Sequence, residues 1–295
     1  MPIYTYTTLD DLPAVNGTFA TGINDNGQIV GYSFDESYRG FLYSNGAYTT
    51  LNDPSAGSIG SFAVGINDTG QIVGSYFDAN SREHGFLYSG GSYTTFDDPL
   101  GVYGTVPFGI NNNGQVVGLY RDNTGTHGFF LFNGLYAPVD DPSAAFDGTL
   151  ASGTVASGIN NTGQIVGYYT DANSRSHGFL YSNGTYTTLD DPFGTNGTQA
   201  FGINDQGQIV GYYRDAGGTH GFLYSGGTYT TIDDPLGVGQ TQAWGVDASG
   251  HVVGYYNDGH TNHGFLLTIT PNPPPPAGTT ADMILRGANG SSNPG

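Results

Sequence analysis

The sequence predicts an all-β fold, a six-bladed β-propeller of four-stranded antiparallel blades. Three observations predict it: one unit occurs six times, each unit consists of short apolar-aromatic runs between turn residues, and the chain ends hold complementary halves of a unit. The composition agrees, because Gly (50), Tyr (22) and Phe (17) are abundant among the 295 residues. Aromatic residues favour strands, and glycine favours turns.

The repeat is marked by the tripeptide Gly-Ile-Asn, which the last copy replaces by Gly-Val-Asp. Successive copies are separated by 43, 44, 49, 44 and 43 residues. This length is typical of a propeller blade, which takes about 40–50 residues. The six copies begin at Gly22, Gly65, Gly109, Gly158, Gly202 and Gly245.

Each unit contains four strand-like segments in a fixed order, which we call A, B, C and D. They are typified by "TQAFGIN", "GQIVGYY", "HGFLYS" and "YTTLDDP". The A–B link at 66–72 places Gly70 where a three-residue hairpin needs a positive φ, and the C–D link Asn183-Gly184 is a two-residue hairpin turn. Tight turns between successive strands predict an antiparallel meander in every unit.

The two chain ends predict how the last blade is completed. The chain opens on a D segment, "IYTYTTLDD" (3–11), and its last C segment, "HGFLLTITP" (263–271), has no D segment after it. We expect the N-terminal strand to complete the last blade and close the ring, which leaves no long free edge. An open array or a sandwich is the alternative. We therefore assign 1–270 to the propeller and 271–295, rich in Pro, Gly and Ser, to a linker, the truncated start of a further module, or a disordered tail.

Charge and composition exclude several classes of function. The net charge of −19 argues against binding of nucleic acid or anionic lipid, which need a cationic surface. No cysteine is present for a disulfide, a zinc site or a thiol nucleophile. The chain contains no run of 18 apolar residues, so we do not expect it to insert into a membrane. We expect a monomer.

A family resemblance rests on two segments, "GINDNGQIVGYS" (22–33) and "GINDTGQIVGSY" (65–76). Each is followed by an "HGFLYS"-like run. The chain resembles, through 267, the extracellular HAF repeat family of bacteria. The resemblance implies a secreted or cell-surface repeat protein and transfers no catalytic residues, although "MPIYTYTTLDD" shows no signal peptide. The family's His-Ala-Phe reads His-Gly-Phe here, at His84, His127, His177, His220 and His263, with Arg39 at the corresponding position of the first unit.

Ionisable residues are predicted to gather on one rim. We call the side with the A–B and C–D turns the turn rim, and the side with the B–C turns and D–A crossings the loop rim. The histidines and five arginines fall on the loop rim, and we expect the turn rim to be nearly uncharged. The candidate ligand-binding residues are Arg82, His84, Arg121, His127, Arg175, His177, Arg214, His220 and His263.

These residues favour a non-catalytic binding or adhesion module that binds glycan or a protein partner on the loop rim. Arginine makes bidentate contacts with carboxylate or sulfate, and Tyr and Phe offer faces for sugar rings. A structural role is the alternative for each residue: the arginines pair with neighbouring loops, the Asp residues of DDP cap turns, and each histidine bonds a loop carbonyl.

Two other functions stay open. A calcium-bound surface scaffold needs clustered oxygen ligands. Its candidates are Asp78, Asp122, Asp171, Asp215 and Asp258. No other cofactor is expected. A propeller lyase or hydrolase needs one blade that breaks the symmetry, whereas these loops are near copies, so we predict no enzyme. The insertion 143–153 is the best candidate for a symmetry-breaking site, and Trp244 is expected to fill the core.

Overall fold

The computed structural model describes residues 2–11 and 16–270. All regular structure in these ranges is β-strand. No helix in them has the length and apolar character needed to cross a membrane. The all-β prediction is confirmed, and the fold is propeller-like. The tail assigned to 271–295 lies outside the described residues.

The first half of the chain contains the N-terminal strand and the first three units. Their strands are β1 (Ile3–Leu9); β2 (Thr18–Ile23), β3 (Ile29–Phe34), β4 (Tyr38–Ser44) and β5 (Ala47–Leu51) in unit one; β6 (Ser61–Ile66), β7 (Ile72–Phe77), β8 (Glu83–Ser89) and β9 (Ser92–Phe96) in unit two; and β10 (Gly104–Ile110), β11 (Val116–Arg121), β12 (Thr126–Phe132) and β13 (Leu135–Pro138) in unit three.

The second half repeats the same order. Its strands are β14 (Gly153–Ile159), β15 (Ile165–Thr170), β16 (Ser176–Ser182) and β17 (Thr185–Leu189) in unit four; β18 (Thr198–Ile203), β19 (Ile209–Arg214), β20 (Thr219–Ser225) and β21 (Thr228–Ile232) in unit five; and β22 (Thr241–Val246), β23 (Val252–Asn257) and β24 (Asn262–Thr270) in unit six.

These strands form four four-stranded sheets and one eight-stranded sheet. The eight-stranded sheet contains units three and four, which are joined by a single parallel pair, Thr126 with Gly153. The same kind of contact is an isolated bridge elsewhere, as between Tyr38 and Gly60. The prediction of a separate sheet for every unit is therefore wrong for this pair, because β14 begins early enough to extend the bridge into a sheet.

The N-terminal strand is the fourth strand of the last sheet. Strand β1 pairs antiparallel with β24 from Ile3 opposite Thr270 to Leu9 opposite Gly264. Leu9 is buried in a cluster with Ala20 and Ile29 of unit one and Val253 of unit six. The backbone pairing places β1 as the sequence predicts, and its apolar end contributes to the packing of unit six on unit one.

Successive units pack on one another through the same apolar positions. In one cluster, Val30 and Leu51 of unit one meet Ala63, Ile66 and Ile72 of unit two. The phenylalanine of strand C is fully buried in every unit; the six are Phe41, Phe86, Phe129, Phe179, Phe222 and Phe265. Each unit thus buries one face against its neighbour, as repeat architectures require.

The A strands approach one another closely at the glycine of Gly-Ile-Asn. A Cβ atom on Gly158 would lie 2.4 Å from the carbonyl oxygen of Phe201 in the next unit, and one on Gly65 would lie 2.4 Å from that of Phe108. Any other residue would force the two backbones apart. The register also shifts by one residue just before this glycine, between Ala156 and Gly158, which is a β-bulge.

We expect Leu9→Ala to lower the free energy of unfolding by about 2–4 kcal/mol, because it leaves a cavity where β1 seals unit six against unit one. Urea denaturation at neutral pH measures the change. Thr7→Ala is the matched control, since Thr7 lies on the same strand and is exposed, and it should cost less than about 0.5 kcal/mol. Equal effects of the two substitutions would contradict a packed terminal strand.

Candidate functional site

Five histidines of the HGF segments are each held between two aspartates on the loop rim. The Nδ1 atom of His177 lies 2.8 Å from the carboxylate of Asp190, and Nε2 lies 3.6 Å from that of Asp171. We call this arrangement the histidine clamp. Its five copies join His84 to Asp97 and Asp78, His127 to Asp140 and Asp122, His177 to Asp190 and Asp171, His220 to Asp233 and Asp215, and His263 to Asp10 and Asp258.

A tyrosine of strand B stacks on each clamped ring, as Tyr169 does on His177 with the centroids 5.2 Å apart. The expectation that these histidines bond loop carbonyls is wrong. Opposite Gly178 in the sheet register lies Leu189, and this brings Asp190 beside the histidine. The register between strands C and D cannot be predicted from the sequence pattern. The clamps stand in five different units, so the structure does not bring the predicted histidines together into one site.

The five aspartates proposed as calcium ligands cap their own B–C turns. Asp171 is typical: its Oδ1 atom accepts hydrogen bonds from the amides of Asn173 at 2.8 Å and Arg175 at 2.9 Å, and the latter bond does most to lower the pKa of the carboxyl. The amides of Thr261 and His260 likewise lower the pKa of Asp258 to about 2. Across 2–11 and 16–270, no group of three or more His, Asp or Glu side chains is placed to hold a metal ion.

The two aspartates of each DDP segment have different roles. The first, such as Asp190, belongs to a histidine clamp. The second, Asp191, is buried and accepts a hydrogen bond from the amide of Phe193 at 2.8 Å. Burial raises the pKa of this carboxyl. The predicted turn-capping role is therefore confirmed for the second aspartate.

Four of the five described arginines are held by backbone carbonyls or carboxylates. Arg82 and Arg175 each donate to a glycine carbonyl of the following D–A crossing, at 3.3 Å and 2.8 Å. Arg121 pairs with Glu83 across two units at 3.0 Å. Arg39, which replaces the histidine in unit one, pairs with an aspartate four residues earlier.

Arg214 is different. Its guanidinium lies 4.8 Å from the centre of the Tyr212 ring and donates a 3.0 Å hydrogen bond to the tyrosine hydroxyl. The side chain is exposed. Within 2–11 and 16–270, it is the one arginine whose guanidinium contacts neither a carboxylate nor a backbone carbonyl. A cation in this position is available to a ligand.

The turn rim is not uncharged, contrary to expectation. The A–B turns bring Asp25, Asp68 and Asp205 around one cavity of about 80 Å³, together with Asn112 and Asn161 at the equivalent positions. These carboxylates could not be placed from the sequence, in which the Asn-Asp-x-Gly turns look purely local. A carboxylate in such a turn also reaches the next unit when the turns converge.

These side chains form a belt of hydrogen bonds from unit to unit. The amide of Asp25 donates to Asp68 Oδ1 at 2.8 Å, and that of Asp68 donates to Asn112 at 2.9 Å. In the sixth unit, the amide of Ala248 donates to Asp25 at 2.7 Å. Burial raises the pKa of Asp25, with the neighbouring carboxylates adding to the shift. The belt holds the turns together and leaves few acceptors free.

Between the two rims, the copies differ most on one side of strands A and B. We call these positions the variable face: the residue before the glycine in strand A, and the residue after the second glycine of the strand-B segment "GQIVGYY". They are Thr21, Val64, Phe108, Ser157, Phe201 and Trp244 in strand A and Tyr32, Ser75, Leu119, Tyr168, Tyr212 and Tyr255 in strand B.

The strand-A residues of the variable face line a second cavity of about 80 Å³. It shares its ring of Ile and Val side chains with the cavity at the turn rim. Ser157 opens onto this cavity, and its buried hydroxyl has no hydrogen-bond partner in the described part of the chain. Sequence reasoning missed the variable face, although the signal was available: these are positions at which otherwise near-identical copies disagree.

Trp244 is half-buried on this face, rather than fully enclosed in the core as expected. Its indole lies 4.1 Å from Phe201 and 6.4 Å from Tyr255, between ring centroids. Phe201 in turn stacks on Tyr212. Units five and six thus hold a continuous row of aromatic rings that ends at Arg214. Trp244 and Tyr255 are half-buried in this row, and Phe201 and Tyr212 are buried.

The insertion at 143–153 lies beside the same region. It contributes Leu150 and Ser152 to a cavity of about 130 Å³ that is also lined by Arg121 and Tyr168. A larger cavity of about 320 Å³ lies on its outer side, next to Asp147. Bonds from Ser152 and Thr149 lower the pKa of Asp147 to about 2. The predicted departure from sixfold symmetry is therefore located next to the variable face.

Comparison with known proteins gives a limited family match. Residues 91–197 match the model of a family described as a protein of unknown function, DUF3466. No curated protein matches the chain. The specific resemblance to HAF repeats has no support in these comparisons.

Solved structures share the fold at low sequence identity. A lectin of Aleuria aurantia in complex with Fucα1-6GlcNAc has a TM-score of 0.57 at 12% identity, covering 89% of this chain and 98% of that one. Virginiamycin B lyase from Staphylococcus aureus has a TM-score of 0.53 at 11% identity, covering 90% and 99%. TolB from Acinetobacter baumannii has a TM-score of 0.55 at 13% identity, covering 83% and 67%.

The clamps predict a pH dependence of stability. Burial tends to lower the pKa of His220, but hydrogen bonds and charges from Asp233 and Asp215 outweigh it and the pKa is raised. A raised folded-state pKa stabilises the protein at low pH, and this contribution is lost as the pH rises through that pKa. His220→Gln should therefore reduce the free energy of unfolding more at about pH 5.5 than at about pH 9, by up to about 1 kcal/mol.

Urea denaturation at the two pH values measures this difference. Thr230→Ala, an exposed change in the same unit, should have an effect that does not depend on pH. If His220→Gln cost the same at both pH values, the ion pairs of the clamp would contribute nothing to stability.

Proposed function

We propose that the six units are the blades of one closed propeller. Three contacts between unit six and unit one support closure. Phe19 packs against Tyr255 with ring centroids 4.8 Å apart, Ala248 donates to Asp25, and Leu9 packs with residues of both units. The lining of each axial cavity by all six units supports the same arrangement.

We further propose that the chain is a non-catalytic, monomeric module, secreted or on a bacterial cell surface, which binds a glycan at the loop-rim end. The observation that carries this proposal is the contrast between constant and variable positions. Near-identical histidine clamps and capped turns fix the loops, while the side chains of the variable face, aromatic in some units and small or aliphatic in others, differ from unit to unit. A rigid frame with variable aromatic positions suits ligand recognition. The loop-rim arginines supply donors for acidic or hydroxyl groups.

The fold likeness to a lectin is compatible with this function, although the same fold likeness extends to a lyase. The partners of the histidines argue against catalysis. Each clamped ring already has a carboxylate at both nitrogens, and the clamp occurs five times. A catalytic base needs access to a substrate proton and a place in one asymmetric site. We therefore favour binding over chemistry.

A calcium-bound scaffold is the alternative. Its support is the number of loop-rim carboxylates near the five candidate aspartates. However, one oxygen of each candidate already caps a turn, as Asp171 does. Calcium would have to bind through the remaining oxygens or compete with these amides.

A glycan array screened with and without EDTA tests these possibilities. We expect glycan binding that survives EDTA, because the proposed contacts are side chains rather than a metal ion. The double variant Arg175→Ala/Arg214→Ala should lose most of the signal. Binding abolished by EDTA would support the calcium scaffold, and an array with no bound glycan would contradict the proposed function.

A further inference from the structure

Two arginines, Arg121 and Arg214, lie near tyrosines of units four and six. The hydroxyl of Tyr168 feels the positive charges of both Arg121 and Arg214, which oppose the rise in its pKa caused by burial. The charge of Arg214 likewise opposes the rise in the pKa of Tyr255 that burial causes. Arg214 therefore lies close enough to tyrosines of units four and six for its charge to act on both.

Direct contacts connect this group into one surface. Arg214 lies on Tyr212, Tyr212 stacks on Phe201, Phe201 packs on Trp244, and Trp244 neighbours Tyr255. We call these five residues, Arg214, Tyr212, Phe201, Trp244 and Tyr255, the basic-aromatic surface.

The polar groups beneath this surface are positioned as in a built site. Tyr212 donates its hydroxyl hydrogen to Gln199 Oε1, and the amide of Gln199 donates to Ser176 at 3.0 Å. Both Tyr212 and Gln199 are buried. The tyrosine oxygen thus accepts from Arg214 while its proton is committed to Gln199, and this fixes the guanidinium. A preorganised donor costs less entropy when it binds a ligand.

One buried group nearby is unused. Ser157 lies in the strand next to Phe201, is 5% exposed, and has no partner for its hydroxyl in the described residues. A buried hydroxyl without a hydrogen-bond partner destabilises the folded chain. Phe201 and Trp244 line the same cavity, so the Ser157 hydroxyl places a hydrogen-bond donor and acceptor beside two members of this group.

We propose that the basic-aromatic surface binds an acidic sugar unit, with its carboxylate or sulfate on Arg214 and its ring against Trp244 and Tyr255. The proposal rests on the glycan-binding function above and names its ligand class and site. In a chain of net charge −19, a fixed guanidinium without a carboxylate partner selects an anion. The adjacent aromatic faces provide apolar area for the sugar ring.

Trp244 is the only tryptophan of the chain, so its fluorescence reports binding directly. The probes are a disaccharide ending in glucuronic acid, the same disaccharide ending in glucose, and the glucose disaccharide carrying a sulfate. Titrations at about 0.15 M salt limit long-range repulsion by the acidic protein to about 8 Å. We expect the glucuronic acid or sulfated probe to change the emission and to bind at least about ten-fold more tightly than the neutral one.

Arg214→Gln should weaken binding of the acidic probe by about ten-fold or more, and Arg214→Lys by less, because lysine keeps the charge but loses the planar fork. Tyr212→Phe keeps the ring and removes the hydroxyl that orients the guanidinium, so it should weaken binding a few-fold. The matched control is Arg39→Gln, which makes the same charge change at an arginine already paired with an aspartate. It should leave the affinity unchanged.

Equal binding of neutral and acidic probes, no binding of the acidic probes, or equal effects of Arg214→Gln and Arg39→Gln would overturn the proposal. If the array had meanwhile identified a bound neutral glycan, the general binding function would stand and only the acidic-sugar site would fall. If the array bound nothing, both would fall. Urea denaturation of each variant separates lost binding from lost folding, and Tyr212→Phe tests the site independently if Arg214→Gln does not fold.

Discussion

The close approach of the A strands is the constraint on which the rest of the structure depends. Only glycine fits where a Cβ would lie 2.4 Å from the carbonyl of Phe201 or Phe108, so the tripeptide Gly-Ile-Asn recurs in nearly every unit. The bulge next to this glycine changes the direction of the preceding side chain. As a result, residues such as Ser157 and Trp244 line the cavity bounded by strand A of all six units instead of being enclosed between sheets.

This constraint divides the sequence into positions that hold the frame and positions that are free to differ. The clamps, the DDP caps and the turn-rim belt satisfy the polar groups of the loops in almost every unit by the same bonds. Because these repeated bonds hold the loops in place, the variable face tolerates Thr, Val, Phe, Ser or Trp at equivalent positions without a change of fold. In the proposed function, stability and specificity therefore depend on different residues.

The repeat, with its turn chemistry and alternation, was sufficient to predict the strands and their order. The complementary half-units at the chain ends predicted the pairing of β1 with β24. The partner of each histidine depends on the register between strands C and D, which no local pattern encodes. The carboxylates of the turn rim, such as Asp25 and Asp68, acquire their role only when turns from different units converge. Arg214 was among the predicted ligand-binding residues, but the sequence does not distinguish it from Arg175. The two differ in their partners, because Arg214 donates to the Tyr212 hydroxyl and Arg175 donates to the carbonyl of Gly194.

The use of carboxylates explains how a strongly acidic chain presents a cationic spot. The aspartates of the clamps and caps point their oxygens at backbone amides and imidazoles, so much of the negative charge is engaged in structure. Arg214 lies instead over an aromatic ring, which leaves its charge uncompensated by direct contact. At physiological salt, a ligand feels this charge only within about 8 Å, while a long polyanion also meets the net charge of the whole molecule. The proposed surface should therefore favour a single acidic sugar unit at the end of a glycan over a continuous acidic polymer.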